Sequence, residues 1–127
     1  MSIAKRQTEF MQAASQTTDI YNFDQLGLYV DLIEEEFNEF ANADGLEHSL
    51  KESADLIVVL LGFMYSAGID PDKLMNLVFD NNMLKVKEKP EYDRKGKVKK
   101  SQASIAAKAK MMEEIGKLLD EADENAN

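Results

Sequence analysis

Between Leu32 and Asp55 the chain reads LIEEEFNEFANADGLEHSLKESAD, with an E-x-x-E at Glu36 and Glu39 and, after twelve intervening residues, an E-x-x-D at Glu52 and Asp55. Residues three apart on a helix share a face, so each pair aims two carboxylates the same way. Asp44-Gly45 between the pairs is a turn dipeptide. Two helices folded back on each other there bring four carboxylates together. Such a cluster is very costly next to an apolar interior unless a cation neutralises it, and a hard divalent metal bound by oxygen is the natural answer.

The neighbouring apolar residues sharpen this. At about 100° per residue, Leu26, Val30, Ile33, Phe37 and Phe40 fall in one sector of the second helix. Glu36 lies between Tyr29 and Leu32 on one flank, Glu39 lies between Leu28 and Leu32, and Glu35 comes next. Glu34 falls on the opposite, polar side with Asn38 and Asp31. In the third helix Glu52 and Asp55 share a row with Val59 and Phe63, and the run Leu56 to Tyr65 is apolar around the whole circumference. That helix is expected to be central. An E-x-x-E alone is a weak signal, because Glu-rich helices are common, and Lys51 can offset one acid locally. Two pairs that both intrude on apolar faces are harder to read as surface charge.

The remaining segments are also helical in pattern. A first helix is expected over about 2–14, capped by Ser2, with Ile3, Phe10, Met11 and Ala14 as its stripe. The second is expected over about 24–43 with Asn22 or Asp24 as cap, and the third over about 47–67, closed by Gly68. Asp70-Pro71 opens a fourth, which fades near Val86. Residues 87–100 form a loop with Pro90, Asp93 and Gly96 as turn residues. Ser101 caps a fifth helix, about 102–122. The expected fold is therefore all-α, a four- to five-helix bundle in a single domain over 1–127.

Composition narrows the chemistry. Among the 127 residues there is no cysteine and one histidine, His48. Thiolate zinc sites, disulfides and Cys nucleophiles are excluded. A di-iron bundle wants Glu-x-x-His on two helices; Gly45 stands three before His48, and no second histidine exists. His48 reads as a solvated residue near a helix start. Net charge is −9, which makes the chain a poor nucleic-acid binder, yet eight of the fifteen basic residues crowd between Lys85 and Lys100. That strip is either a solvated loop or a seat for a small anion. Residues 1–7 carry charge and no long apolar run, and the longest apolar run is too short for a bilayer. A soluble, cytoplasmic protein with no membrane partner is expected. The other chemistry that helix-borne carboxylates suit is magnesium-assisted phosphoryl transfer.

On these residues the chain resembles the all-α nucleoside triphosphate pyrophosphohydrolases, the MazG-like and phosphoribosyl-ATP pyrophosphohydrolase-like group. The pattern E-E-x-x-E, then E-x-x-D, is met by Glu35, Glu36 and Glu39 and by Glu52 and Asp55. Thr8 to Met11 followed by Gln16 resembles the first helix of one branch, Asn82 to Lys85 its N-M-x-K segment, and Tyr92 to Val98 its G-K-V turn. The resemblance covers about 8–100 and leaves the fifth helix outside.

The resemblance implies cleavage of the α–β bond of a nucleoside triphosphate to monophosphate and pyrophosphate, with a role in clearing non-standard or surplus nucleotides. It implies that Glu36, Glu39, Glu52 and Asp55 ligate Mg²⁺, with Mn²⁺ as a substitute, and that Glu35, Glu36 and Glu39 serve catalysis, Glu35 by a further metal or by orienting water. It implies nucleotide contacts from Asn82 and Lys85, and a lid from Arg94, Lys95 and Lys97. Phe10 and Gln16 are base-side candidates, but Phe10 also suits a core position and Gln16 a polar loop. Tyr92 is a stacking partner or a loop anchor, and Asn82 also suits a helix-end residue bonding its own backbone. It further implies a homodimer or homotetramer, with the active site in a bundle assembled with a second subunit. Two other readings stand beside it: a dUTP-type or phosphoribosyl-ATP-type diphosphatase, and a non-catalytic helical interaction module that binds through its fifth helix.

Overall fold

The computed structural model describes residues 2–87, 92–97 and 102–126, and within them five α-helices carry the fold. The first, α1, spans Ile3–Ala13 and starts where the Ser2 hydroxyl accepts the Lys5 N–H at 3.0 Å. Its buried row is Ala4, Gln7 and Met11, while Ile3 and Phe10 of the expected stripe stand exposed. The reason lies in the partner. The Tyr65 hydroxyl donates to the Ala4 carbonyl at 3.0 Å, and a small residue there lets the helices approach closely.

The second helix, α2, spans Phe23–Ala41; the Asn22 side chain accepts from the Gln25 N–H, one of the two caps expected. The third, α3, spans Leu46–Ser66 and begins at Gly45, whose φ of +88° suits a residue without a Cβ. The fourth, α4, spans Pro71–Lys87. Asp70 Oδ1 accepts the Asp72 N–H at 2.9 Å, and Pro71 sits at the first position, where its missing N–H costs nothing. The fifth, α5, spans Gln102–Ala126 and so outlasts its expected end near 122. Its expected cap, Ser101, lies outside the described residues.

The dominant pairing is the antiparallel hairpin of α2 and α3, with α5 packed on α4 and both α1 and α4 resting on α3. Its register is set by one tight seam. Gln25 Nε2 donates to Ser66 Oγ at 2.8 Å, and one turn further along the Tyr29 ring lies against Gly62 so closely that a Cβ there would stand 2.0 Å from Tyr29 Cε1. Tyr29 is 2% exposed, and its hydroxyl donates to Gln16 Oε1 at 2.6 Å. Met11, Tyr29, Val59 and Tyr65 form the buried cluster, with Leu32, Ile33 and Leu56 packed on it. A second close approach fastens the base. A Cβ on Gly68 would meet Ala122 Cβ and the backbone of Ile20 and Tyr21, beside the Asn22 N–H to Ser66 carbonyl bond.

The all-α expectation holds, and α3 is central. A single chain does not cover every apolar face, however: Val30, Phe37, Ile57 and Phe79 are each at least half exposed. Ile3, Ile57, Leu60, Met64 and Phe79 line a 480 Å³ apolar recess between α1, α3 and α4. Among the described residues no helix is long and apolar enough to cross a membrane.

Candidate active site

Carrying the Tyr29–Gly62 register two turns toward the hairpin tip sets Glu36 level with Asp55 and Glu39 level with Glu52. The helical spacing of each pair turns them to the shared seam. Glu36, Glu39 and Glu52 each offer a carboxylate oxygen, all within 4.8 Å of one another. Glu52 is 4% exposed, Glu36 half-buried and Glu39 exposed, so the cluster opens to solvent on the α2 side.

The electrostatics are strained. The Glu36 carboxyl is raised above its ordinary range, first because burial penalises its charged form, then because it shares a hydrogen bond with Glu39 and feels the charges of Glu39, Asp55 and Glu52. Glu36 Oε2 and Glu52 Oε2 are buried without a hydrogen-bond partner. Orphaned carboxylate oxygens at the centre of an acid cluster are the kind of donor a hard divalent cation takes. The residues present therefore fit a metal.

Two basic side chains also reach the cluster. Lys51 Nζ lies 2.7 Å from Asp55 Oδ2 and 3.4 Å from Glu52 Oε1, and its ammonium is held charged by those hydrogen bonds, its pKa raised. Asp55 is thus ion-paired with Lys51 and stands outside the group of three. His48 is exposed near the start of α3, as expected, and its ring also reaches the cluster. Its Nδ1 accepts the Asp44 N–H, which leaves the hydrogen on Nε2, and Nε2 donates to Glu52 Oε1 at 3.1 Å. The i,i+4 spacing of His48 to Glu52 was the signal that could have found this contact.

Geometry of this kind fits the comparison with known families, in which the phosphoribosyl-ATP pyrophosphohydrolase family matches residues 4–82, well over half of the chain. The chain belongs to that family. It is accordingly an enzyme of pyrophosphohydrolase type, a hydrolase acting on phosphoric anhydride bonds. Among curated proteins nothing matches it. The family match takes in all four acids and Asn82 and stops short of Lys85, the turn and α5.

None of the other expected site residues is among the three carboxylates that converge. Glu35 is exposed on α2. Asn82 and Lys85 line a 380 Å³ recess between α4 and α5, together with Asn81 and Lys108. Arg94 and Lys97 stand exposed in a turn that Asp93 organises, its Oδ1 accepting the N–H of Lys95 at 2.8 Å and of Lys97 at 2.9 Å. Tyr92 is exposed beside it. Phe10 is exposed rather than in the core, and Gln16 serves as the acceptor that anchors buried Tyr29.

Proposed function

We propose that the protein is a Mg²⁺-dependent nucleotide pyrophosphohydrolase that cleaves the α–β anhydride of a nucleoside triphosphate, releasing the monophosphate and pyrophosphate. The observation that carries this is the trio Glu36, Glu39 and Glu52, with two buried oxygens that lack partners, in a member of a pyrophosphohydrolase family. Glu36, Glu39, Glu52 and Asp55 would hold the cation, Mg²⁺ or in its place Mn²⁺. When bound it would supply charge neutralisation for the phosphates and lower the pKa of water. Glu35, on the exposed side next to the cluster, orients the attacking water and accepts its proton. The water oxygen bonds to the α-phosphorus as the bond to the bridging oxygen breaks, and pyrophosphate leaves with that electron pair.

Lys85 and Asn82 contact the nucleotide, and Arg94 and Lys97 close over the phosphates as donors. Phe10, Tyr92 and Gln16 are the base-side candidates. Asn82 and Lys85 line a recess between α4 and α5, and α2, α3 and α4 expose apolar faces. Both points support an active site assembled with a second copy, as a homodimer or homotetramer. The family match favours a second reading of substrate, a phosphoribosyl-ATP-type nucleotide. Either substrate belongs to the cytoplasmic nucleotide pool, and removal of non-standard or surplus nucleotides is the role proposed.

The test is pyrophosphate release with Mg²⁺ from a panel of nucleoside triphosphates, dUTP and phosphoribosyl-ATP. Glu39→Gln and Asp55→Asn are expected to lose activity by roughly 10- to 100-fold or more. No release from any nucleotide sinks the enzymatic reading in favour of an interaction module.

A further inference from the structure

The acids on α2 and α3 already have a cation of the chain's own beside them. Lys51 precedes Glu52 by one residue and Asp55 by one helical turn, and its ammonium touches both carboxylates. The cluster therefore has two unlike sides. On one, Lys51 offsets the charge of Asp55 Oδ2 and Glu52 Oε1, and the His48 Nε2–H donates to the latter. On the other, Glu36 Oε2 and Glu52 Oε2 are buried and unpartnered. Glu52 is 4% exposed, so solvent does not satisfy its free oxygen.

Resting on the metal reading above, we propose that Lys51 is a placeholder cation. Its ammonium holds Asp55 while no metal is bound, and it must release Asp55 before that carboxylate can join the ligand set. A metal ion and an ammonium in contact with one carboxylate repel each other, so the two compete for Asp55. Lys51 is built to yield. Its side chain is 65% exposed, on a flexible stem, and an ion pair this open to water is weak. His48 differs, because as a neutral donor it can stay on Glu52 Oε1 and keep that side chain in place when a metal arrives. Lys51 is thus a positioning residue that tunes metal affinity.

The experiment is a double-mutant cycle on the full chain, with Mg²⁺ titrated by calorimetry and by melting temperature. The wild type is compared with K51M, D55N and K51M/D55N. K51M is expected to bind Mg²⁺ roughly two- to fivefold more tightly while melting lower without metal. A merely structural lysine would weaken both. With D55N present, adding K51M is expected to tighten Mg²⁺ binding clearly less than in the wild type, because the closer of the two carboxylates that Lys51 holds is gone and only the longer contact to Glu52 remains. Equal tightening with and without D55N shows only long-range charge and overturns the proposal, as does unchanged or weaker binding by K51M. If K51M fails to fold, K51Q takes its place in the same cycle. A wild type that responds to neither Mg²⁺ nor Mn²⁺ overturns the metal reading and this inference together, whereas a responsive wild type with an unaltered K51M overturns this inference alone.

Discussion

Gly62→Ala is expected to be among the more damaging single-methyl additions in this protein. The added Cβ would lie 2.0 Å from Tyr29 Cε1, where carbon atoms in ordinary contact sit about 3.5–4.0 Å apart. Either the ring or the helix must give by about 1.5 Å or more. Tyr29 has nowhere to go: it is 2% exposed and its hydroxyl is tied to Gln16 at 2.6 Å. Overpacking of this kind costs about 1–3 kcal/mol, and losing the hydroxyl bond adds roughly 1 kcal/mol. The better helix propensity of Ala offsets up to about 1 kcal/mol. The net loss is about 1–3 kcal/mol, a fall in melting temperature of roughly 4–12 °C for a domain of this size. Urea unfolding followed by circular dichroism measures it, with Gly27→Ala and Gly116→Ala as controls. Neither control Cβ meets anything within 4 Å, so both should be neutral or stabilising. The acids sit two turns beyond this seam, so G62A should also slow pyrophosphate release while the controls do not. A G62A midpoint equal to or above that of the wild type would refute the claim that Tyr29 against Gly62 sets the hairpin register.

Other expectations concern the acids and the α1 contact. Burial and neighbouring acids raise the Glu36 pKa, so its contribution to stability without metal is present below the ordinary carboxylate value and lost as pH rises through the raised one. Added Mg²⁺ should therefore raise the melting temperature most near neutral pH, with the gain shrinking on acidification into that window; a gain independent of pH counts against the cluster. Tyr65→Phe removes one donor to the Ala4 carbonyl, which keeps the Thr8 hydroxyl, and should cost about 0.5–1.5 kcal/mol in the same urea assay; an unchanged midpoint would mean that α1 is held otherwise. Glu34→Gln lies on the exposed face of α2 and should leave both Mg²⁺ binding and pyrophosphate release unchanged.

Much of the fold was legible locally. Ser2, Asn22 and Asp70 cap helices as their side chains suggest, because a cap needs only a short oxygen-bearing side chain next to the first free N–H groups. On α1 the expected stripe holds at Met11, but Ile3 and Phe10, which hydrophobicity ranks above Ala4 and Gln7, stand exposed. Which row is buried depends on how closely another helix can approach, and Ala4 admits Tyr65. The exposure of Phe10 and the service of Gln16 to Tyr29 are likewise products of packing.

The site divides in the same way. Helical periodicity alone puts Glu36 beside Glu39 and Glu52 beside Asp55, because residues three apart share a face whatever lies around them. The turn at Asp44-Gly45 makes a hairpin of the two segments. What periodicity cannot supply is the register of one helix against the other, and that is decided by Tyr29 lying on Gly62 and by Gln25 reaching Ser66. Nor does sequence spacing say which carboxylates meet a metal and which meet a lysine. Lys51 was readable as a local offset, but only the folded hairpin brings Glu36, Glu39 and Glu52 within 4.8 Å while Asp55 is ion-paired with Lys51. Charge and burial at a site are sums over neighbours distant in the chain, so they exist only once the helices have packed.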